Sequence, residues 1–332
     1  MGIGSTETVA DHATDGPPVT SQDVAGRSPT KIALDRLRQD KIAMACLAIV
    51  IFFALIAIFA PLLTSLFGVA LEQGDPGDDL DAFNFPVIGP PDNGFTWDAP
   101  LGLEPETGND LLADWFYGAR TSLLVATIAA VIATFVGIVV GLVAGFSRGA
   151  MDKVITFVID VFLSLPFILV ALSVAPIIVQ RFSAQPALLE SAQLFALIAV
   201  LSLFTWMTLA RLIRGEVLSL REREFVQAAR VIGVPTRSIL FKELLPNLIA
   251  PIVVSISLGL PAFVAAEAGL SYLGIGVVGR PSWGQTVNSG VEYFNSYPLY
   301  LYAPVIGITV LVIALNLLGD AVRDAFDPNT RR

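Results

Sequence analysis

An all-helical membrane protein with about six spans is the fold class this sequence predicts, and three observations predict it. Hydrophobic residues make up 55% of the 332-residue chain and charged residues only 15%, which is more apolar surface than one water-soluble core can hide. Six runs, at 42–66, 121–146, 154–179, 194–210, 248–275 and 300–318, carry two carboxylates and no cation between them. A helix needs roughly 20 apolar residues to cross about 30 Å of hydrocarbon. The loops between the runs alternate in charge, with 17 of the 20 Lys and Arg falling on one side and only Arg120, Arg181 and Arg280 on the other.

Residues 1–30 are rich in Ser, Thr, Asp, Gly and Pro and offer too little apolar surface to offset the entropy of ordering, so a disordered tail is expected there. Segment 31–66 joins the basic residues Lys31, Arg36, Arg38 and Lys41 to the first run. Excess Lys and Arg mark the cytoplasmic side, which places both termini inside the plasma membrane. That first run is too long and too far from the start for a cleaved signal peptide, so it is expected to remain as an anchor. Segment 67–118 follows as an exterior loop; between Ser65 and Ala119 there are eleven Asp and Glu and no Lys or Arg. A five-helix core is expected over 119–320, its fourth-span run being the shortest of the six, and a cytoplasmic tail over 321–332. The net charge of −9 does not suit a nucleic-acid partner. With one cysteine, Cys46, and one histidine, His12, no thiolate or imidazole metal cluster and no internal disulfide can form.

Within the core, the most informative segment is the cytoplasmic stretch 211–246, RLIRGEVLSLREREFVQAARVIGVPTRSILFKELLP. Ser219 with Glu222 fits a capping box, Phe225, Ala228, Ala229 and Ile232 repeat at helical spacing, and Gly233 with Pro235 ends that helix. A second short helix is expected from about Pro235 to Leu245, with Pro246 opening the fifth span. One reading is an amphipathic loop resting on lipid headgroups. The other is a docking helix, since Ala228, Ala229 and Gly233 leave a surface almost without bulk.

The pattern Gln227-Ala228-Ala229, then Gly233, then Leu244-Leu245-Pro246 resembles the cytoplasmic loop of binding-protein-dependent ABC importer permeases. The family's leading acid is Gln227 here. Glu267–Val277 (EAGLSYLGIGV), Pro281-Ser282-Trp283-Gly284, the C-terminal NLLGDAVRDAFDP at 316–328 and Tyr117–Leu123 (YGARTSL) resemble the second permease subunit of the dipeptide, oligopeptide and nickel branch. The resemblance implies a type I importer bundle and a loop that docks on an ATPase through Glu224, Gln227, Ala228, Ala229, Gly233, Leu245 and Pro246. It implies a homologous permease partner, two ATPase subunits carrying ATP and Mg, an exterior substrate-binding protein, and no cofactor on this chain.

In the membrane, Gly137, Gly141 and Gly145 give the second span a smooth face for close helix packing. Pro166, Pro176, Pro251 and Pro261 are expected to bend the third and fifth spans. Asp160 and Glu267 are the two carboxylates inside apolar runs, and intramembrane acids usually face a cavity or a partner. Both are candidates for the translocation path, Glu267 lining or bracing it. The alternative function is an ion-coupled secondary transporter using this pair. Such proteins usually carry paired repeats with matching broken helices, and none is evident between the two halves. No phosphate-binding loop Gly-x-x-x-x-Gly-Lys-Ser/Thr occurs, so ATP hydrolysis is expected on separate subunits.

Overall fold

The computed structural model describes residues 29–71 and 79–327, and among them the chain is all-helical; of the expected tail at 1–30, residues 1–28 lie outside the described residues, while Pro29 and Thr30 already belong to the first helix. Helix α1 (Pro29–Gln39) is followed by α2 (Lys41–Phe67). Asp40 caps α2, its carboxylate accepting from the backbone N–H of Ile42 at 2.8 Å and of Ala43 at 3.1 Å, and the helix stops at Gly68, whose φ of 72° suits glycine. Phe53, Ile56, Ala60 and Thr64, spaced by three or four, form the buried stripe of α2, while Phe52, Leu55, Ile58, Phe59 and Leu62 face outward. That exposure fits lipid.

Helix α3 (Leu111–Phe146) starts eight residues before the expected core boundary at 119, because Asp110 accepts from the N–H of Ala113 at 2.9 Å and caps it. Helices α4 (Ala150–Ser164) and α5 (Phe167–Phe182) correspond to the third run and bend by 77° at their junction. Pro166 causes the break: a residue preceding proline is pushed out of the helical region, and Leu165 sits at φ −78°, ψ 130°. Helix α6 (Pro186–Leu220) is unbroken over 35 residues. Thus the shortest apolar run belongs to one of the best-buried spans, while the longer third run is the interrupted one.

Helix α8 (Ile249–Leu270) continues through a π-helical turn, Ser271–Ile275. The short α9 (Trp283–Gly290) and the last span, α10 (Pro298–Phe326), follow. Because α10 runs to Phe326, the expected tail from 321 begins as helix. Among the described residues, five helices are long and apolar enough to cross a membrane, giving six spans if the bent pair counts as one.

Glycine decides how α3 meets α6. A Cβ on Gly137, Gly141 or Gly145 would fall 2.9 Å from the Trp206 carbonyl oxygen, 2.7 Å from Ile213 Cβ and 2.6 Å from Val217 Cβ, so the two backbones lie in direct contact. At the opposite end Trp283 is fully buried and its indole N–H donates to the Trp115 carbonyl at 3.0 Å, while that of Trp115 donates to the Ala303 carbonyl at 3.0 Å. These bonds satisfy both indoles and tie α3, α9 and α10 together.

The ends of α1, α3, α6 and α10 gather with loop 221–248 on one face of the bundle, called the basic face below. Arg36 of α1 donates there to the Asp327 carbonyl at 3.1 Å, beside the end of α10. On the opposite, acidic face, residues 79–110 pack over α3, α9 and α10. Phe85 stacks on Tyr297 with ring centroids 5.9 Å apart. Glu104 is buried, accepting from the Thr107 hydroxyl at 3.0 Å, and Asp114 of α3 accepts from the Thr286 hydroxyl at 2.5 Å.

Burial, reinforced by the negative charge of Asp114, pushes Glu104 from its ordinary 4.5 up to about 8. Asp110 and, from α10, Tyr300 are the other ionisable groups facing it. Below about pH 4.5 its carboxyl is protonated whether the segment is docked or not; above that only the docked form must keep the proton, so docking weakens as pH rises toward 8. Amide hydrogen exchange in residues 79–110 is therefore expected to be slowest near pH 5 and to accelerate, after correction for intrinsic rates, by pH 8.5. Glu104→Gln should remove the dependence above about pH 6, while Asp110, pushed up to about 6 by burial, keeps a share below that; a profile unchanged from pH 6 to 8.5 in the variant would refute the assignment.

Candidate functional site

Two features of the bundle could carry function, a surface on the basic face and a cavity inside. The surface is built on helix α7 (Glu224–Val231). Ser219 does not begin it: α6 runs on to Leu220, Arg223 occupies the cap position without a side-chain bond, and the capping box expected from Ser219 and Glu222 is absent. The helix ends as expected, with Gly233 at φ 82° and the Val234 N–H reaching back to the Ala229 carbonyl at 2.9 Å. No atom lies within 4 Å of a Cβ built on Gly233, so backbone conformation rather than space calls for glycine there.

Val226 and Ala229 point inward and pack with Leu142, Ile213, Val217, Ile239, Leu244 and Leu248. The Arg230 guanidinium sits 4.5 Å above the Phe146 ring, and Arg221 donates to the Gly145 carbonyl at 3.0 Å. Helix α7 is thus bolted to the ends of α3 and α6. Segment 236–247, which includes the π-helical turn Ile239–Leu244, leads from it into α8.

The outward side carries Phe225, Ala228, Val231 and Ile232, with Val231 87% and Ile232 79% exposed. The sequence grouped Ala228 and Ala229 on one docking face, but Ala228 is exposed and Ala229 belongs to the packing beneath. Glu224 and Pro246 are exposed, Leu245 is half-buried, and Gln227 donates to the Arg221 carbonyl at 3.1 Å, bracing the turn before the helix. An exposed β-branched pair just before a helix-ending glycine was the available signal for this face.

The cavity, about 800 Å³, lies between α3, α6 and α8, and its walls include Phe167 and Phe204, whose ring centroids are 5.7 Å apart. Leu212, Pro251 and Arg323 line it near the basic face. Its walls are apolar with four hydroxyls, those of Thr134, Thr205, Thr208 and Ser255, and its one charged lining residue is Arg323. Isolated hydroxyls in apolar runs look like ordinary membrane packing, so nothing in the sequence singles these four out.

Neither intramembrane carboxylate lines this cavity. Glu267 is fully buried, accepts from the Ser271 hydroxyl at 2.8 Å and is also faced by the hydroxyls of Ser122 and Ser282; its neighbour Ala266 reaches the cavity instead. A lining role for Glu267 is therefore corrected. Asp160, half-exposed, is ion-paired with Arg211 of α6. Two turns earlier, Asp152 takes a bidentate pair from Arg214 at 2.8 and 3.0 Å. Together the pairs fasten α4, of which only Ile159 is buried, to α6.

The sequence pattern of the family described as "Binding-protein-dependent transport system inner membrane component" matches residues 137–332, and that of the "N-terminal TM domain of oligopeptide transport permease C" matches 28–81. The dipeptide transport system permease protein DppC of Alkalihalophilus pseudofirmus is 33% identical over 92% of this chain and 91% of its own length. The oligopeptide transport system permease protein OppC of Escherichia coli is 33% identical over 93% and 94%. Among solved structures, an inward-facing form of the MetNI methionine ABC transporter aligns with a TM-score of 0.49 at 19% identity, covering 63% of this chain and 94% of that one.

Proposed function

Since the chain belongs to the binding-protein-dependent ABC transport permeases, in the branch that carries the oligopeptide permease C N-terminal domain, we propose that it is a translocation subunit for import of di- or oligopeptides. Nickel is the second cargo that the sequence resemblance allows. As a multi-pass permease subunit it is not itself an enzyme; ATP, with Mg, is held and hydrolysed on two partner ATPases. The observation that carries this reading is α7, a short helix with an apolar outward face fixed rigidly to the ends of two spans. Such a helix can pass a push from an ATPase into α3 and α6.

In this reading the basic face is cytoplasmic and both termini lie there, in accord with the distribution of Lys and Arg. Phe225, Ala228, Val231 and Ile232 enter a groove of the ATPase, Glu224, Gln227 and Gly233 set the pose of the helix, and Leu245 and Pro246 form the joint with α8. A homologous permease covers the sparsely packed α4–α5 surface, and the exterior binding protein meets residues 79–110 and 279–298. Glu267 braces α8 against α3 and the start of α9. The ion-coupled alternative is disfavoured by the geometry of its two carboxylates, one ion-paired and the other enclosed.

Reconstitution in proteoliposomes with a partner permease, ATPases and binding protein tests the proposal. Uptake of labelled dipeptide is expected only with ATP inside the compartment that meets α7. Uptake driven by a proton or sodium gradient without ATP would overturn it.

A further inference from the structure

We propose that Arg323 is the subsite for an anionic group in the cavity, taking the free C-terminal carboxylate of a peptide on its way to the basic face. The inference rests on the peptide-import reading. Its ground is the composition of the wall: eighteen of the nineteen lining residues carry no charge, and the nineteenth is Arg323, in the last turn of α10. Its neighbours along the helix, Asp320 and Asp324, are not among the lining residues. The four lining hydroxyls offer weak, exchangeable hydrogen bonds to a peptide backbone, and the apolar remainder accepts side chains of many shapes. Among the described residues nothing else in the cavity can compensate a carboxylate, which is costly to carry into apolar surroundings unpaired.

Guanidinium matches a carboxylate with two parallel N–H donors. Arg323 is also exposed, so water competes with the bond and keeps it weak. A site on an exit path must bind well enough to draw the substrate and loosely enough to let it leave. Its place beside the end of α10, where Arg36 of α1 holds the Asp327 carbonyl, puts this charge in a part of the helix that is fixed from the other side.

The test uses the complete permease–ATPase complex in nanodiscs without its binding protein, so that only the membrane cavity is read. Equilibrium binding of leucyl-leucine is compared with that of leucyl-leucinamide, which lacks the carboxylate charge. The intact complex is expected to prefer the free acid about tenfold, Arg323→Gln to abolish the preference while leaving amide binding unchanged, and Arg323→Lys to retain part of it. A preference that survives Arg323→Gln, an equal loss for both ligands, or no preference in the intact complex would overturn the subsite. ATP-driven uptake of leucyl-leucine by the complex with binding protein, run alongside, reports separately on the peptide-import reading: absence of uptake there would sink that reading.

Discussion

A Val231→Glu, Ile232→Glu chain is expected to insert and fold normally, yet to lose its ATPase partner on purification and at least nine-tenths of ATP-driven uptake. Both side chains lie almost wholly in solvent, so the folded subunit loses little by the change. At an interface, however, the few residues that anchor the centre of the contact contribute about 2 kcal/mol or more, roughly thirtyfold in affinity. A buried unpaired carboxylate adds a penalty to that loss. Ala229→Glu gives the contrasting case: Ala229 is packed under the helix, so a carboxylate there should lower the yield of folded chain as well. Wild-type recovery of ATPase with the double variant, by quantitative co-purification, would show that this face is not where the ATPase binds.

Gly141→Leu is expected to have the second-largest effect, a loss of folded chain rather than of coupling. A Cβ alone would stand 2.7 Å from Ile213 Cβ and 2.8 Å from the Ala210 carbonyl oxygen. The nearer obstacles belong to a helix backbone and a branched Cβ, neither of which can turn aside. Overpacking by a few methylenes costs about 1–3 kcal/mol, and four new carbons against the backbone of α6 should exceed that, separating α3 from α6. Gly215→Ala provides the control, because nothing lies within 4 Å of its Cβ, and helix propensity predicts it to be neutral or slightly stabilising, by up to about 1 kcal/mol. The thermal midpoint of monodisperse protein in detergent checks both. A Gly141→Leu midpoint within the error of the parent would refute the close approach.

Much of this architecture was legible in sequence because the bilayer imposes a simple code of run length and charge. The glycines of α3, the stop at Gly233 and the break at Pro166 could all be read, since each is a local steric consequence. Illegible features depend on residues far apart along the chain. Asp152 finds Arg214 across 62 positions and the Trp283 indole finds Trp115 across 168, and no periodicity announces either. Ala229 was misplaced for a subtler reason: successive residues of a helix are turned by about 100°, so one of two adjacent alanines can be buried and the other exposed, and a run of small side chains does not say which is outward. Glu267 illustrates a third limit, for a charge within an apolar run signals an enclosure but not whether that enclosure is a channel or a nest of hydroxyls.

The interrupted span between α4 and α5 has an electrical consequence. Backbone freed from helical bonding is tolerated at membrane depth only where protein or water satisfies it, and Phe167, just after the break, lines the cavity that extends toward Arg323. Water filling that space would carry the conductive medium of the basic face into the membrane-spanning part of the bundle. Most of the transmembrane voltage would then fall between the inner end of that space and the acidic face. A charged cargo would meet the full field, about 2.3 kcal/mol per unit charge at 100 mV, within that thin layer, and its final passage past Arg323 would be nearly indifferent to membrane potential.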